Sequence, residues 1–114
     1  MLNIPLQTIP NQSFSLQLDG NTYDLRIHDE GNIMAVSVNI NNVEIVTGFR
    51  AVPGALVLPY EYLENGNFLI TTMDDEYPDW RRFAIDQFLI YASEAELRAI
   101  RLAETLRVNN AAVA

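Results

Sequence analysis

His28-Asp29-Glu30 sets the chain's only imidazole beside two carboxylates, the residue types of a general base and its orienting acid. The three are neighbours in sequence, at the end of an alternating stretch that runs into a turn, where polar side chains serve solvation alone. Triad chemistry also needs a nucleophile held within reach of the imidazole, and no Gly-x-Ser-x-Gly elbow is present to supply one. The structural reading of this trio is preferred over a small hydrolase built on His28. Asp74, Asp75, Glu76 and Asp79 could attract a hard cation such as calcium. They lack the alternating ligands, central glycine and terminal glutamate of an EF-hand loop, and they read as a solvated acidic loop. Paired carboxylates for glycoside hydrolysis can be picked from 15 acidic residues, yet a domain this small rarely walls a cleft around them. The absence of cysteine excludes disulfides, a thiol nucleophile and thiolate metal sites. One histidine excludes a two-His metal site within a single chain. No catalytic residue, cofactor or metal is assigned.

Binding chemistry is better represented. Tyr77-Pro78-Asp79-Trp80-Arg81-Arg82 combines the residue types that concentrate where proteins meet, and it is the candidate contact loop. A second reading stays open, in which Trp80 folds back under the loop as core while Arg81 and Arg82 pair with the local acids. Net charge is −8, and all seven basic residues are arginines. A chain this acidic repels phosphate backbones, so nucleic acid is not an expected partner. Arginine as the sole cation suits bidentate pairing with carboxylates, although an acidic surface also serves solubility alone. No apolar run approaches the roughly 20 residues that span a bilayer. The start, MLNIPLQTIP, lacks the basic and long apolar regions of a secretory signal.

The elements that must position these residues are mostly strands. In 11–28, Phe14, Leu16 and Leu18 alternate with polar residues, and so do Tyr23, Leu25 and Ile27. This is the period of a half-buried hairpin, turning on Asp19-Gly20-Asn21-Thr22. LNIPL before it reads as a short edge strand, because Pro5 cannot donate to a ladder. Residues 29–32 form a turn; IMAVSVNI and VEIVTG then make a second hairpin around Asn41-Asn42, a linker a type I′ turn accepts. Residues 49–67 are broken by Pro53-Gly54, Pro59 and Asn65-Gly66, and ALVLPYEYL within them is a strand, a helical turn or a loop crossing one end of a barrel. NFLITTM is a strand, 74–82 a long loop, and FAIDQFLIYA the last strand. The spacing predicts one helix over 93–108, with Ser93 as N-cap and Glu96 completing a capping box. Ala95, Ala99, Leu102, Ala103 and Leu106 form its apolar stripe, with Ile100 at the margin. Residues 109–114 are expected to be a mobile tail. The whole is an all-β domain over 1–92, a small antiparallel β-sandwich or barrel, with an added C-terminal helix that caps an open end or projects outward.

IPLQTIPNQSFSLQLDGNTYDLRI, residues 4–27, resembles the N-terminal signature of small phage baseplate plug proteins: an Ile-Pro-Leu start, Asn-Gln-Ser/Thr-Phe, a hairpin turning on Gly and a Tyr-x-Leu return strand. NVEIVTGFRAVPGALVLPYEYL and ENGNFLITT are similar to that family's Gly-containing bend, its apolar Tyr-x-Tyr-Leu segment and the strand that follows. The resemblance covers residues 4–92. The 74–82 loop is larger than the family pattern, and 93–114 is an addition to it. The resemblance implies a structural component of a contractile-tail baseplate of the myovirus type, made in the host cytoplasm and carried in the virion tail. It implies a place near the hub that joins tail tube to spike, with hub, tube, spike or wedge proteins as partners. Several symmetric copies are implied, three around a trimeric hub being natural.

Tyr60, Tyr62, Tyr77, Trp80, Arg81, Arg82, Leu102 and Leu106 are the candidate interface residues, since they supply more apolar and arginine surface than one small sheet needs. The competing reading is a small ligand-binding β domain, such as a carbohydrate-binding module, stacking sugars on Trp80, Tyr77 and Tyr60.

Overall fold

Asp19 and Gly20 take φ of 51° and 79°, and Asn41 and Asn42 take 51° and 66°. Left-handed backbone at both central residues is what a two-residue hairpin turn matched to strand twist requires. These two turns organise the first half of the chain. The computed structural model describes residues 1–58 and 66–113. Strands β2 (Asn11–Leu18), β3 (Asn21–Asp29), β4 (Met34–Ile40) and β5 (Val43–Arg50) form one antiparallel sheet in sequence order. Strands β1 (Leu2–Ile4), β6 (Gly66–Thr71) and β7 (Phe88–Ser93) form a second, in the order β1-β7-β6. Helix α1 (Glu94–Val113) follows β7 without a break.

The two antiparallel sheets and single C-terminal helix agree with the mostly-β expectation. The sheets share one core but are not joined into a closed barrel. Tyr23, Leu25 and Ile27 from β3, Val36 and Val38 from β4, and Phe68, Ile70 and Leu89 from the second sheet are all buried in it. Alternation puts them there: in β3 each buried residue is followed by one that is half-buried or exposed. Ala35 is buried as well, although its parity in β4 sets it opposite Val36.

Several boundaries differ from the sequence reading, each for a local reason. Gly66 heads β6 rather than sitting in a turn; a Cβ there would lie 2.2 Å from the Tyr91 hydroxyl oxygen. The last strand starts at Phe88 rather than Phe83, because the Arg82 carbonyl draws the N–H groups of Ile85, Asp86 and Gln87 into a tight turn at 3.1–3.2 Å, with Ala84 at φ 66°. Helix α1 continues through 109–113, the stretch read as tail, where Ala111 and Ala112 favour helix strongly.

The start of α1 is held by a reciprocal cap. Ser93 Oγ accepts from the Glu96 N–H at 3.3 Å, and the Ser93 N–H donates to Glu96 Oε1 at 3.1 Å. The Met1 ammonium donates to Glu96 Oε2, tying β1 to the helix. These contacts, the ammonium first, hold the Glu96 carboxyl down at about 2, from an ordinary 4.5. A lowered carboxyl pKa contributes stability that is present above pH 4.5 and lost as pH falls through about 2.

Replacing Glu96 with Gln should therefore flatten the fall in thermal stability between pH 4.5 and 2, measured by circular dichroism melts across that window. Gly66→Ala should lower unfolding free energy by about 1–3 kcal/mol in urea titrations, through overpacking against the Tyr91 ring.

Candidate docking surface

Residues 74–87 leave β6 and return to β7 through a loop with a built interior. Asp74 and Asp75 take φ of 54° and 55°, conformations Asp tolerates better than most residues. Gln87, 1% exposed, clamps the loop from inside. Its Oε1 accepts from the Asp79 N–H at 2.8 Å and its Nε2 donates to the Tyr77 carbonyl at 3.3 Å. Asp79 then caps a single 3-10 turn, Trp80–Arg82, by accepting from the Arg81 N–H at 3.0 Å.

The loop packs Trp80 partly inward and pairs both arginines with local acids, while their side chains stay exposed. Trp80 is half-buried against the core, and the Arg81 guanidinium lies 4.8 Å from its ring centroid. Arg81 also pairs with Asp79 at 3.2 Å. Arg82 forks onto Asp86, Nε to Oδ1 at 2.9 Å. Tyr77 is exposed, and Arg50 from the end of β5 stacks on it at 5.1 Å. Each ring thus carries one guanidinium group, Arg81 on Trp80 and Arg50 on Tyr77, and Tyr77 keeps about half of its surface open. Tyr60 and Tyr62 lie outside the described residues.

The helix stripe is turned away from the domain. Ala95, Ala99 and Ala103 are exposed, as are Ile100 at 37%, Leu102 at 60% and Leu106 at 54%. Leu97, off that stripe, is the buried residue of the first turns, at 3%, where α1 meets β6 and β7. The helix projects rather than caps. Its exposed line of Leu102, Leu106 and the alanines therefore faces away from the domain core.

The His28 trio is tied up in local contacts at one ring nitrogen and one carboxylate, while His28 Nδ1 is buried without a hydrogen-bond partner. His28 Nε2 pairs with Glu30 Oε1, and Asp29 Oδ1 accepts from the Gly31 N–H at 2.9 Å; among the described residues no hydroxyl bonds to His28. Among the described residues no group of three or more His, Asp or Glu stands placed to hold a metal ion, and no helix is long and apolar enough to cross a membrane. Sequence reasoning missed Arg50 and Gln87, whose partners lie 27 and 8 to 10 residues away along the chain. No local pattern announces either contact.

The chain is thus a β domain of two antiparallel sheets, with a C-terminal helix that carries an exposed apolar line. The chain belongs to the family described as the cyanophage baseplate Pam3 plug gp18, whose model matches residues 1–94. The match covers the seven strands of the described residues and ends at the first residue of α1. It bears out the resemblance to phage baseplate plug proteins and gives the chain a structural role in the baseplate. No curated protein matches the chain.

Gln87→Leu should cost about 1–3 kcal/mol, since it removes both bonds of a buried amide and leaves the part-buried Asp79 N–H and Tyr77 carbonyl without that partner. Urea denaturation followed by Trp80 fluorescence would report both the lost stability and the loosened loop.

Proposed function

We propose that this chain is a non-catalytic virion protein packed at the central hub of a contractile-tail baseplate of the myovirus type. It acts there as plug or connector between tail tube, hub and spike. It is made in the host cytoplasm, incorporated with other baseplate proteins, and present in several symmetric copies, three around a trimeric hub. The family match over residues 1–94 supports the baseplate role.

The observation that carries the docking part is α1. After Leu97 the helix leaves the core and presents Leu102 and Leu106 more than half exposed on one line. Such a line on a projecting helix is buried by lying in a groove of a neighbour, with anchors at i and i+4 spacing. Tyr77 and the guanidinium groups of Arg81 and Arg82 form the accompanying rim on the 74–82 loop, where aromatic and arginine side chains suit contact with a partner.

The double variant Leu102→Asp, Leu106→Asp tests this. Both positions are exposed, so the free chain should keep its stability within about 0.5 kcal/mol, while incorporation into tail particles, quantified by immunoblot, should fall sharply. Incorporation at the wild-type level would remove α1 from the interface.

A further inference from the structure

Among the described residues the two sheets end in four edge strands, and three of these carry the usual protections. Strand β1 is three residues long and runs into Pro5. The outer edge of β6 is covered, since Gly54 and Val57 donate to the Ile70 and Phe68 carbonyls at 3.0 and 2.8 Å. Strand β5 carries Glu44 and Arg50, slips register against β4, and bends at Gly48 with φ 65°. Strand β2, NQSFSLQL, has none of these: eight regular residues, no proline, no bulge and no charge, in a chain of net charge −8.

The pairing of β2 with β3 identifies which backbone groups face outward. Thr22 turns both its backbone groups toward Asn41, its N–H donating to Oδ1 at 2.9 Å and its carbonyl accepting from the Asn41 N–H at 2.8 Å. Gln17 lies opposite Thr22, so the two form a non-hydrogen-bonded pair. By alternation the N–H and C=O of Ser13, Ser15 and Gln17 all point to the free edge. All three residues are exposed, and no described segment pairs with them.

Beside this edge stands Arg26, opposite Ser13 on the outward face of the sheet. It is exposed and, among the described residues, forms no ion pair, hydrogen bond or ring stack. It lines an open groove of about 450 Å³ on that face, along with Ser13, Asp24 and Ser37. A strand added to β2 would bring a side chain in register with Ser13 to about 10 Å from Arg26, two strand spacings. The small serine between them leaves the path clear for a guanidinium–carboxylate pair.

We propose that β2 accepts an extended segment of another baseplate protein as a fifth strand, carrying a carboxylate on its outward face in register with Ser13. This rests on the assembly reading above and names the contact and the chemistry of the partner. A second copy of this chain fits less well: β2 has no carboxylate to offer Arg26, and two chains of −8 repel each other.

The test compares tail particles carrying wild type, Ser15→Ala, Ser15→Pro and Ser13→Asp. Proline at 15 removes an edge-facing N–H that the native ladder does not use, which edge strands tolerate. Aspartate at 13 captures Arg26 within the chain, and it decides the matter should the proline variant misfold by circular dichroism. Wild type and Ser15→Ala should incorporate normally, and the other two should fall about tenfold or more. Amide exchange over 11–18 should be slow in particles and fast in the free chain. Normal incorporation of a folded Ser15→Pro or of Ser13→Asp overturns the proposal and leaves the assembly reading standing. Concentration-dependent dimerisation of the free chain with protection of 11–18 also overturns it, in favour of a second copy. Wild type absent from particles overturns both readings.

Discussion

Tyr23 reaches from β3 of the four-stranded sheet into contact with Phe68 of β6 and Tyr91 of β7, with ring centroids 5.3 and 5.7 Å away, while Phe68 and Tyr91 sit 5.2 Å apart. The three rings are the joint between the sheets. Edge-on and tilted contacts of this kind each contribute about 0.5–1.5 kcal/mol beyond the area they bury. The Tyr91 hydroxyl donates to Asp19 at 2.7 Å, carrying the joint to the tip of the first hairpin. Burial pushes the Tyr91 phenol well above its ordinary value, so it remains a proton donor at any working pH. Gly66 is required for the same reason, because the ring occupies the space a side chain would need.

A core centred on that joint leaves the periphery of the molecule open. The inward-facing residues of the edge strands, Phe14, Leu16 and Leu18 on β2 and Ile45, Val46 and Phe49 on β5, are only partly buried. Helix α1 touches the domain through its cap and Leu97 and then extends beyond it. For an isolated domain these are incomplete burials. Docking there would cost little conformational freedom, because strands and helix already have their shape.

The contact loop shows how a stretch rich in interface residue types serves its own fold first. Asp79 pairs with Arg81 and Asp86 with Arg82 within a few residues, Arg81 stacks on Trp80, and Gln87 clamps the loop from inside. Residue types alone do not distinguish these roles. An exposed arginine beside acids pairs with them when the backbone turn brings them close, and that turn depends on a buried amide eight residues from Asp79.

The succession of strands along the chain, the places of the two hairpin turns, and the capping box of α1 were legible in the sequence because each depends on residues a few positions apart: alternation of period two, Asn-Asn or Asp-Gly where φ must be positive, Ser93 three residues before Glu96. The family, too, was visible in local signatures. Tertiary structure alone decided which edges stay open, that the helix turns its apolar line outward, that Arg50 stacks on Tyr77, and that Gly66 yields its space to Tyr91. Those outcomes rest on contacts between residues 25 or more apart, or on the direction in which an element leaves the core, and neither is encoded in local spacing.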